Sequence, residues 1–334
     1  MPASHVGSPT PVTDTRNAEE RPLLVVVIGP TAVGKTARAI ELAQSLGCEI
    51  VNADSRQVYQ GMPIGTAQPT ESERAAVPHH FVDFVAPDAL YSAGQFETDA
   101  LHWLDGWFEH HRCAVLAGGS GLYVKAVLDG LDPMPADLGI RTQLNERLAA
   151  EGLLPLVEEL KRLDPDHAAR MDTQNPQRVI RALEVCLTSG KPFSSFHSDA
   201  TADRPFDTLV IGLKMERNAL IERIDRRVDA MMAAGLEGEV ESLRPHWGAN
   251  ALQTVGYREW LPYFNGERSR EEVAEEIKLR TRQFAKRQMT WFQKMENVQW
   301  FHPEDTENIM RTLSVECERR GWALDASTLN SHGE

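Results

Sequence analysis

Residues 29–36, GPTAVGKT, match the phosphate-binding pattern G-x-x-x-x-G-K-[ST]. Glycine at positions 29 and 34 lets the backbone come close to a phosphate, so that successive N–H groups can point at its oxygens. Lys35 supplies a positive charge for the terminal phosphate, and the Thr36 hydroxyl is a ligand for Mg²⁺. A di- or triphosphate is therefore expected at this P-loop, with a glycine-rich turn without a ligand as the alternative. The P-loop comprises Gly29, Pro30, Thr31, Ala32, Val33, Gly34, Lys35 and Thr36.

A carboxylate placed to act beside the P-loop is Asp54, at the end of the apolar segment EIVNAD. ATPases and GTPases usually hold Mg²⁺ with an Asp that follows a later apolar strand. In this chain the later segment, CAVLAGGS at 113–120, ends in two glycines and a serine instead. Open α/β sheets present their ligands at the carboxyl ends of the strands, where Asp54 is predicted to lie. Asp54 is therefore a candidate general base, and a turn or helix-capping aspartate is the alternative.

Two groups of basic residues are spaced for one face of a helix. Arg223 and Arg227 are four apart beside an apolar stripe, hence on one face of a helix, where a solvent-exposed pair is the alternative to a functional role. The segment KLRTRQFAKR at 278–287 has five basic side chains and no acidic one. Such a stripe can follow an RNA backbone. The formal net charge of −14 opposes binding of nucleic acid by bulk electrostatics, so a solvated helix face is the alternative for this segment.

The P-loop needs a strand before it and a helix after it, and the sequence predicts both. LLVVVIG at 23–29 is typical of a strand buried on both faces, and a helix is expected from about 34 to 46. Further strands are predicted at 49–54, 81–85 and 113–119, with a helix in DALHWLDGWFEHH between the last two. Alternating strands and helices predict an α/β fold, with a P-loop-type core whose parallel sheet is flanked by helices.

The strand pattern stops from about residue 131 and returns at 206–215. Between these points the periodicity is helical with glycine stops, which predicts an inserted helical domain. Helices are expected again at 217–233, 236–244 and 270–295. The N-terminal residues are rich in Pro, Ser and Thr and are predicted to be disordered. The predicted organisation is a disordered tail at 1–22, a catalytic core at 23–130 and 204–300, a helical insertion at 131–203, and a C-terminal tail at 301–334.

Composition is that of an ordinary globular protein, with 25% charged and 42% apolar residues over 334 positions. No apolar run reaches the roughly 18 residues of a membrane span, and the N-terminus lacks the apolar region of a signal peptide. We therefore expect a cytoplasmic protein without a membrane partner. The four cysteines lie far apart and lack the spacing of a zinc site or a disulfide framework.

Eight segments follow one another along the chain: GPTAVGKT at 29–36, DSRQVYQGMPIGTAQP at 54–69, HHFVD at 79–83, YSAGQF at 91–96, GGSGLY at 118–123, NPQRVIRALEV at 175–185, VGYREW at 255–260 and TRQFAKRQMTWF at 281–292. In order and spacing they resemble the tRNA dimethylallyltransferases, also called tRNA isopentenyltransferases, from about residue 23 to residue 300. Two positions depart from the family's pattern: Val33, where serine is frequent, and Ser120, where threonine is frequent. Position 33 acts through its backbone, and Ser120 keeps a hydroxyl.

The resemblance implies transfer of a dimethylallyl group from dimethylallyl diphosphate to N6 of adenosine 37, beside the tRNA anticodon. The P-loop would then hold a diphosphate leaving group, so no Asp is expected after CAVLAGG. Breaking the allylic C–O bond places negative charge on the diphosphate, which Lys35 and Mg²⁺ can stabilise. The catalytic residues implied are Asp54 as the base for the adenine amine, Thr36 as the Mg²⁺ ligand, and Arg223 as a second diphosphate clamp.

An anticodon loop offers unpaired bases to such an enzyme. The implied enzyme is a cytoplasmic monomer with Mg²⁺ as its cofactor. Two other functions stay open from the residues alone: a small-molecule kinase that uses bound ATP, and a nucleotide-binding RNA adaptor without catalysis. The residues implied to contact the tRNA anticodon stem-loop are Asp54, Ser55, Arg56, Gln57, Ser120, Arg141, Gln177, Arg178, Val179, Ile180, Arg181, Tyr257, Arg258, Lys278, Arg282 and Lys286.

Overall fold

A parallel sheet of six strands forms the centre of the computed structural model, which describes residues 21–198 and 201–322. The strands are β1 (Leu23–Ile28), β2 (Ile50–Asn52), β3 (His79–His80), β4 (Cys113–Gly118), β5 (Asp207–Leu213) and β6 (Val298–Phe301). Their order in the sheet is β3-β2-β4-β1-β5-β6, and every paired strand runs parallel to its neighbour. The predicted α/β fold with a parallel sheet flanked by helices is confirmed.

The α-helices of the described residues flank this sheet or form a separate helical unit. None of them is long and apolar enough to cross a membrane. They are α1 (Lys35–Leu46), α2 (Glu71–Ala76), α3 (Ala93–Phe108), α4 (Gly121–Asp129), α5 (Leu138–Glu151), α6 (Leu153–Leu163), α7 (Pro165–Arg170), α8 (Pro176–Ser189), α9 (Arg217–Ala233), α10 (Leu236–Ser242), α11 (Leu261–Phe264), α12 (Arg270–Phe292) and α13 (Thr306–Arg319).

The middle strand β1 is apolar on both faces because helices cover both sides of the sheet. Its alternate residues belong to different clusters: Leu23 packs in the cluster with α1 and α13, and Leu24 packs with α3 and α4. The neighbours of β1 are in register with it, so that Ile28 lies opposite Gly118 of β4 and Gly212 of β5. The carboxyl ends of the three strands therefore meet at one edge, where their loops converge.

The described residues form two compact units, one from 21–129 and 203–322 and the other from 130–198 with 201–202. The second unit contains helices α5 to α8, which pack around Leu144, Leu156, Leu160 and Leu183. A buried carboxylate, Glu184, anchors its start by accepting hydrogen bonds from the backbone N–H of Asp137 and from two arginines. The sequence analysis placed the helical insertion at 131–203.

The strand predicted at 81–85 is wrong, since the strand in this region is the preceding pair His79–His80. Phe81 and Asp83 have φ of 62° and 57°, a left-handed backbone that interrupts a strand. The aromatic and β-branched residues of FVDFV therefore lie in a loop that turns. Its Val85 makes an isolated bridge with Tyr59.

The prediction of a C-terminal tail at 301–334 is wrong for Thr306–Arg319, which form a helix that packs on the core. Helix α13 places Ile309, Met310 and Leu313 in the cluster beneath β1, and β6 adds a strand to the sheet beside β5. These apolar positions recur at helical spacing, which the sequence analysis did not use. Residues 323–334 and residues 1–20 of the predicted N-terminal tail lie outside the described residues. Pro22 is tied to the core, since its carbonyl oxygen accepts a hydrogen bond from the N–H of Asp207 at 2.9 Å.

Candidate active site

A cavity of about 1190 Å³ opens at the carboxyl edge of the sheet. The P-loop, the turn after β2, the turn after β4 and helices α9 and α12 line it. Residues far apart in the sequence meet there because the parallel strands end at the same edge. The sequence-predicted residues among its lining are Thr31, Ala32, Gly34, Lys35, Thr36, Asp54, Ser55, Arg56, Gln57, Ser120, Arg223 and Arg258.

The P-loop runs from the end of β1 to the second residue of α1. Gly34 precedes that helix with φ of 107°, a backbone conformation that L side chains rarely adopt. Gly29 is needed for a close approach, because a Cβ there would lie 2.6 Å from the carbonyl oxygen of Leu213. Val33 is fully buried in the core beside β1, so its departure from the family's serine removes no group from the cavity. The N-terminus of α1 thus faces the cavity with its free N–H groups.

Lys35 is the P-loop cation, and its Nζ donates a hydrogen bond to the carbonyl oxygen of Pro30 at 2.8 Å. Burial lowers the pKa of Lys35 from 10.5 to about 8; the Asp54 carboxylate partly opposes this shift and the Arg227 guanidinium adds to it. A cation of this kind gains most from an anionic ligand, which restores the charge partner that water no longer supplies. The lysine is therefore placed to neutralise a phosphate in the cavity.

Asp54 divides its two carboxylate oxygens between two tasks. Oδ1 accepts hydrogen bonds from the backbone N–H of Arg56 at 2.9 Å and of Gln57 at 3.4 Å, which fixes the turn after β2. Within residues 21–198 and 201–322, no donor hydrogen-bonds to Oδ2. The turn-holding role that was the alternative is therefore present, and it leaves one oxygen free to accept a proton or a hydrogen bond from a ligand.

Residues 55–57 connect this turn to the rest of the cavity wall. The N–H of Ser55 donates to the hydroxyl of Ser120 at 2.9 Å, so the hydroxyl kept at position 120 has a direct structural partner. The side-chain amide of Gln57 donates to the carbonyl oxygens of Thr66 and Ala67. Arg56 donates to the carbonyl oxygen of Asn250 at 2.7 Å, and burial lowers its pKa. These contacts hold the predicted base-binding residues in a fixed arrangement.

Two arginines of α9 lie at the phosphate end of the cavity. The guanidinium of Arg223 is 3.6 Å from the place where a Cβ of Gly34 would be. Burial lowers the pKa of Arg227, and the Asp54 carboxylate opposes that shift. Ile224 and Val228 on the adjoining face are buried, which fixes the direction of α9. In the described part of the chain no carboxylate lies within 4.0 Å of either guanidinium, in contrast to Arg282 on α12. Both arginines are therefore available to an anion.

The donor set suits Mg²⁺ better than a transition metal. The described residues contain no group of three or more His, Cys, Asp or Glu side chains that could hold a metal by themselves. Mg²⁺ typically takes one or two protein oxygens and completes its shell with substrate phosphates and water. The Thr36 hydroxyl and the free oxygen of Asp54 line one cavity with the P-loop. These oxygens fit a Mg²⁺ that arrives with a diphosphate.

Known proteins resemble this chain over most of its length. The family model described as IPP transferase matches residues 57–295. A tRNA dimethylallyltransferase of Cytophaga hutchinsonii is 46% identical over 296 residues, which cover 88% of this chain and 97% of that protein. The chain belongs to the IPP transferase family.

Solved structures of related enzymes share the fold. The tRNA isopentenylpyrophosphate transferase of Bacillus halodurans is 37% identical, with a TM-score of 0.64, and the match covers 89% of this chain and 95% of that one. A eukaryotic dimethylallyltransferase acting on tRNA is 26% identical, with a TM-score of 0.75, and the match covers 92% of this chain and 82% of that one. The family therefore accounts for both compact units of the chain.

Tyr257, expected to contact tRNA, is buried and supports a loop. Its hydroxyl donates to Glu239 at 2.6 Å, and Glu239 also accepts hydrogen bonds from the backbone N–H groups of Ile64 and Gly65. Burial raises the pKa of Tyr257, with Glu239 adding to the shift. The side chain thus holds the loop before Thr66, and a contact of this residue with tRNA stays a prediction. Its neighbour Arg258 is exposed and lines the cavity.

The predicted basic stripe on α12 has carboxylate partners at two of its three positions. Lys278 bridges Asp229 at 2.7 Å and Glu275 at 2.9 Å, and Arg282 makes a two-bonded pair with Asp225. These pairs join α12 to α9. Lys286 is exposed and has no such partner in the described residues. Only this end of the stripe offers uncompensated charge.

The residues of α8 that were predicted to contact tRNA lie on different faces of that helix. Gln177 and Arg178 are exposed. Val179 and Ile180 are buried in the core of that unit, so their side chains pack there, and a contact of these residues with tRNA stays a prediction. Two arginines expected to bind tRNA contact the buried Glu184 instead: Arg141 at 2.6 Å and Arg181 at 2.9 Å. Their first role is to compensate that carboxylate.

Sequence reasoning missed Gln288 of α12. It is buried, lines the cavity, and hydrogen-bonds to both the P-loop and the turn after β4. A signal exists in the sequence, because Gln288 falls between Ala285 and Phe292 on the buried face of the helix. A polar residue at a core-facing helical position needs hydrogen-bond partners, which marks it for attention.

Proposed function

We propose that this protein transfers a dimethylallyl group from dimethylallyl diphosphate to N6 of adenosine 37 of tRNA and releases diphosphate. The observation that carries the proposal is one cavity that has cationic side chains at one end and a carboxylate able to act as a general base at the other. Lys35 and Arg223 lie at the cationic end, and Asp54 presents a carboxylate oxygen without a partner from the described residues. The family relationship supplies the reaction class, since the relative from Cytophaga hutchinsonii is a tRNA dimethylallyltransferase.

The diphosphate end stabilises the leaving group. When the allylic C–O bond breaks, negative charge grows on the bridging oxygen of the diphosphate. Lys35, Arg223 and the N–H groups at the start of α1 face that charge, and they stabilise the transition state more than the ground state. Thr36 would hold Mg²⁺ here, and the ion supplies further charge neutralisation of the diphosphate.

At the end of the cavity where the adenine acceptor binds, Asp54 removes a proton. The exocyclic amine of adenine is a poor nucleophile because its lone pair is delocalised into the ring. As N6 bonds to the allylic carbon, one of its protons passes to Oδ2 of Asp54. Oδ1 stays bonded to the turn, so the carboxylate keeps its position while it acts. The nitrogen thus ends neutral, and the released diphosphate carries the electron pair of the broken bond.

Exposed cations and polar groups that are held in place near the cavity would bind the tRNA. Arg258 and Lys286 are exposed, and they suit phosphate contacts. Arg56, Gln57 and Ser120 line the cavity near Asp54, where the target base has to lie. We also expect the enzyme to act as a monomer in the cytoplasm.

A donor-choice experiment tests the proposal. The protein is incubated with undermodified tRNA and Mg²⁺, together with either dimethylallyl diphosphate or ATP, and the nucleosides are weighed after digestion. We expect a five-carbon unsaturated group on adenosine with dimethylallyl diphosphate and an unchanged mass with ATP. Phosphate transfer from ATP with no use of dimethylallyl diphosphate would indicate a kinase. An unmodified tRNA with both donors would indicate a binding protein.

A further inference from the structure

Gln288 of α12 joins two loops of the cavity through one side-chain amide. Its Oε1 accepts a hydrogen bond from the backbone N–H of Thr31 at 2.8 Å, and its Nε2 donates to the carbonyl oxygen of Gly119, also at 2.8 Å. The residue is 6% exposed, so neither bond competes with bulk water. Both the acceptor and the donor of the amide are therefore used to hold backbone.

The Pro30–Thr31 peptide group is held from both of its sides. Lys35 Nζ donates to the carbonyl oxygen of Pro30 at 2.8 Å, and Gln288 accepts from the N–H of Thr31. The two side chains also lie against the same glycine, since a Cβ at Gly119 would be 2.5 Å from Gln288 Nε2 and 3.5 Å from Lys35 Nζ. When Lys35 Nζ binds a phosphate, it gives up its hydrogen bond to the carbonyl oxygen of Pro30. Gln288 then still accepts the hydrogen bond from the Thr31 N–H and holds the peptide group.

The P-loop needs such an external contact because of its backbone. Ala32, directly after Thr31, has φ of 64°, a left-handed conformation that costs free energy for a residue with a side chain. Conformations of this kind persist only where neighbouring contacts hold them. The bond from Thr31 to Gln288 is the side-chain contact adjacent to the strained residue.

We propose that Gln288 is a positioning residue that holds the P-loop in its phosphate-binding conformation. Its contacts with Thr31 and Gly119 do not depend on the reaction, but a diphosphate as the ligand rests on the proposed function. Because Gln288 lies on the helix that carries the exposed Lys286, it also connects the cationic surface of α12 to the phosphate site. Gln288 itself touches neither substrate; it acts through the P-loop backbone.

The test compares two substitutions at this position with one at an exposed glutamine of the same segment. Gln288→Met keeps the length and removes both hydrogen bonds, and Gln288→Glu keeps the acceptor for Thr31 but removes the donor to Gly119. Gln293→Met, at the end of α12, is the matched control, since Gln293 is exposed. Binding of inorganic diphosphate with Mg²⁺ is measured by calorimetry, hydrogen exchange of the Thr31 amide is followed, and KM and kcat are obtained for dimethylallyl diphosphate.

We expect Gln288→Met to weaken diphosphate binding by about tenfold or more, as the loss of one or two buried hydrogen bonds implies. KM should rise more than kcat falls, and the Thr31 amide should exchange faster. Gln288→Glu should also weaken diphosphate binding, because it loses the bond to Gly119 and adds a negative charge close to Lys35, and it provides the test if Gln288→Met does not fold. Wild-type diphosphate affinity in both Gln288 variants would overturn the inference, as would an equal loss in Gln293→Met. Failure of the wild-type protein to bind diphosphate would instead refute the proposed function.

Discussion

At the scale of single residues, the charge of Lys35 depends on its burial. Its pKa is lowered to about 8, so the free enzyme loses the ammonium as pH rises through that value. A phosphate ligand binds the charged form. Diphosphate affinity is therefore present below about pH 8 and declines above it, which is the direction expected for a cation with a depressed pKa.

We predict that the KM for dimethylallyl diphosphate rises as pH increases through about 8 in the wild-type enzyme. Lys35→Arg should remove this dependence, because a guanidinium stays protonated throughout. Lys35→Ala should raise KM and lower kcat at every pH, since the loop acts on leaving-group charge. Parallel pH profiles for wild type and Lys35→Arg would show that another group titrates.

Asp54→Asn separates the two tasks of this carboxylate. Asn keeps an oxygen that can hold the turn through Arg56 and Gln57, so folding and diphosphate binding should be nearly unchanged. The neutral amide cannot take the amine proton, so turnover should fall by about 10²–10⁴-fold, the usual effect of losing a general base. The rate is measured at saturating tRNA and dimethylallyl diphosphate. Turnover near wild type would reduce Asp54 to a turn residue.

Single residues also show how far sequence reasoning reached. The P-loop and Asp54 lie next to strands whose apolar runs are local in sequence, so their place at the sheet edge was predictable. Gln288 was not, because its partners Thr31 and Gly119 are 257 and 169 positions away. Val179 and Ile180 were assigned to RNA with their whole segment, although apolar side chains on a helix usually mark its core face.

At the scale of elements, the basic residues of α12 fall into a paired group and an unpaired group. Lys278 and Arg282 pair with carboxylates of α9, and these pairs attach the helix to its neighbour. Lys286 and Arg287 are exposed, and no carboxylate of the described residues pairs with them. The pKa of Arg287 is lowered, first by burial and then by the charges of Arg258 and Arg280. A cluster of like charges of this kind binds an anion readily.

We therefore predict that Lys286→Ala combined with Arg287→Ala weakens tRNA binding and reduces the slope of log K against log salt by roughly 1–2, as expected for the loss of two phosphate contacts. Lys278→Ala is the matched control on the same helix, and its slope should stay close to wild type because its charge is already compensated. Binding is measured by filter retention over a series of salt concentrations. Equal slopes for the double variant and wild type would mean a solvated helix face.

Two elements that the sequence analysis missed have different physical causes. FVDFV is rich in aromatic and β-branched residues, as a strand would be, but Phe81 and Asp83 adopt a left-handed backbone because the chain turns there. Residue type alone does not fix φ. In α13 the apolar positions did report burial, but the helix covers a sheet whose strands are distant in sequence.

At the scale of the whole molecule, the order of the strands explains why the residues meet. β1 lies between β4 and β5, so the P-loop, the turn at Gly119 and the segment leading to α9 leave one edge together. Alternating strands and helices predicted the parallel sheet, while the strand order could not be read from the pattern. The cavity therefore follows from topology, and its chemistry follows from local motifs.

One cavity should both break the bond of a prenyl diphosphate and prenylate adenosine 37 of the tRNA. The most direct measurement uses an unmodified tRNA transcript and counts inorganic diphosphate and prenylated adenosine in the same quenched samples, with the modified position mapped by the mass of nuclease fragments. The account predicts equal amounts of the two products, with the five-carbon group at position 37 and no product on a transcript with guanosine there. Diphosphate release without prenylated RNA, or prenylation spread over other adenosines, would contradict it.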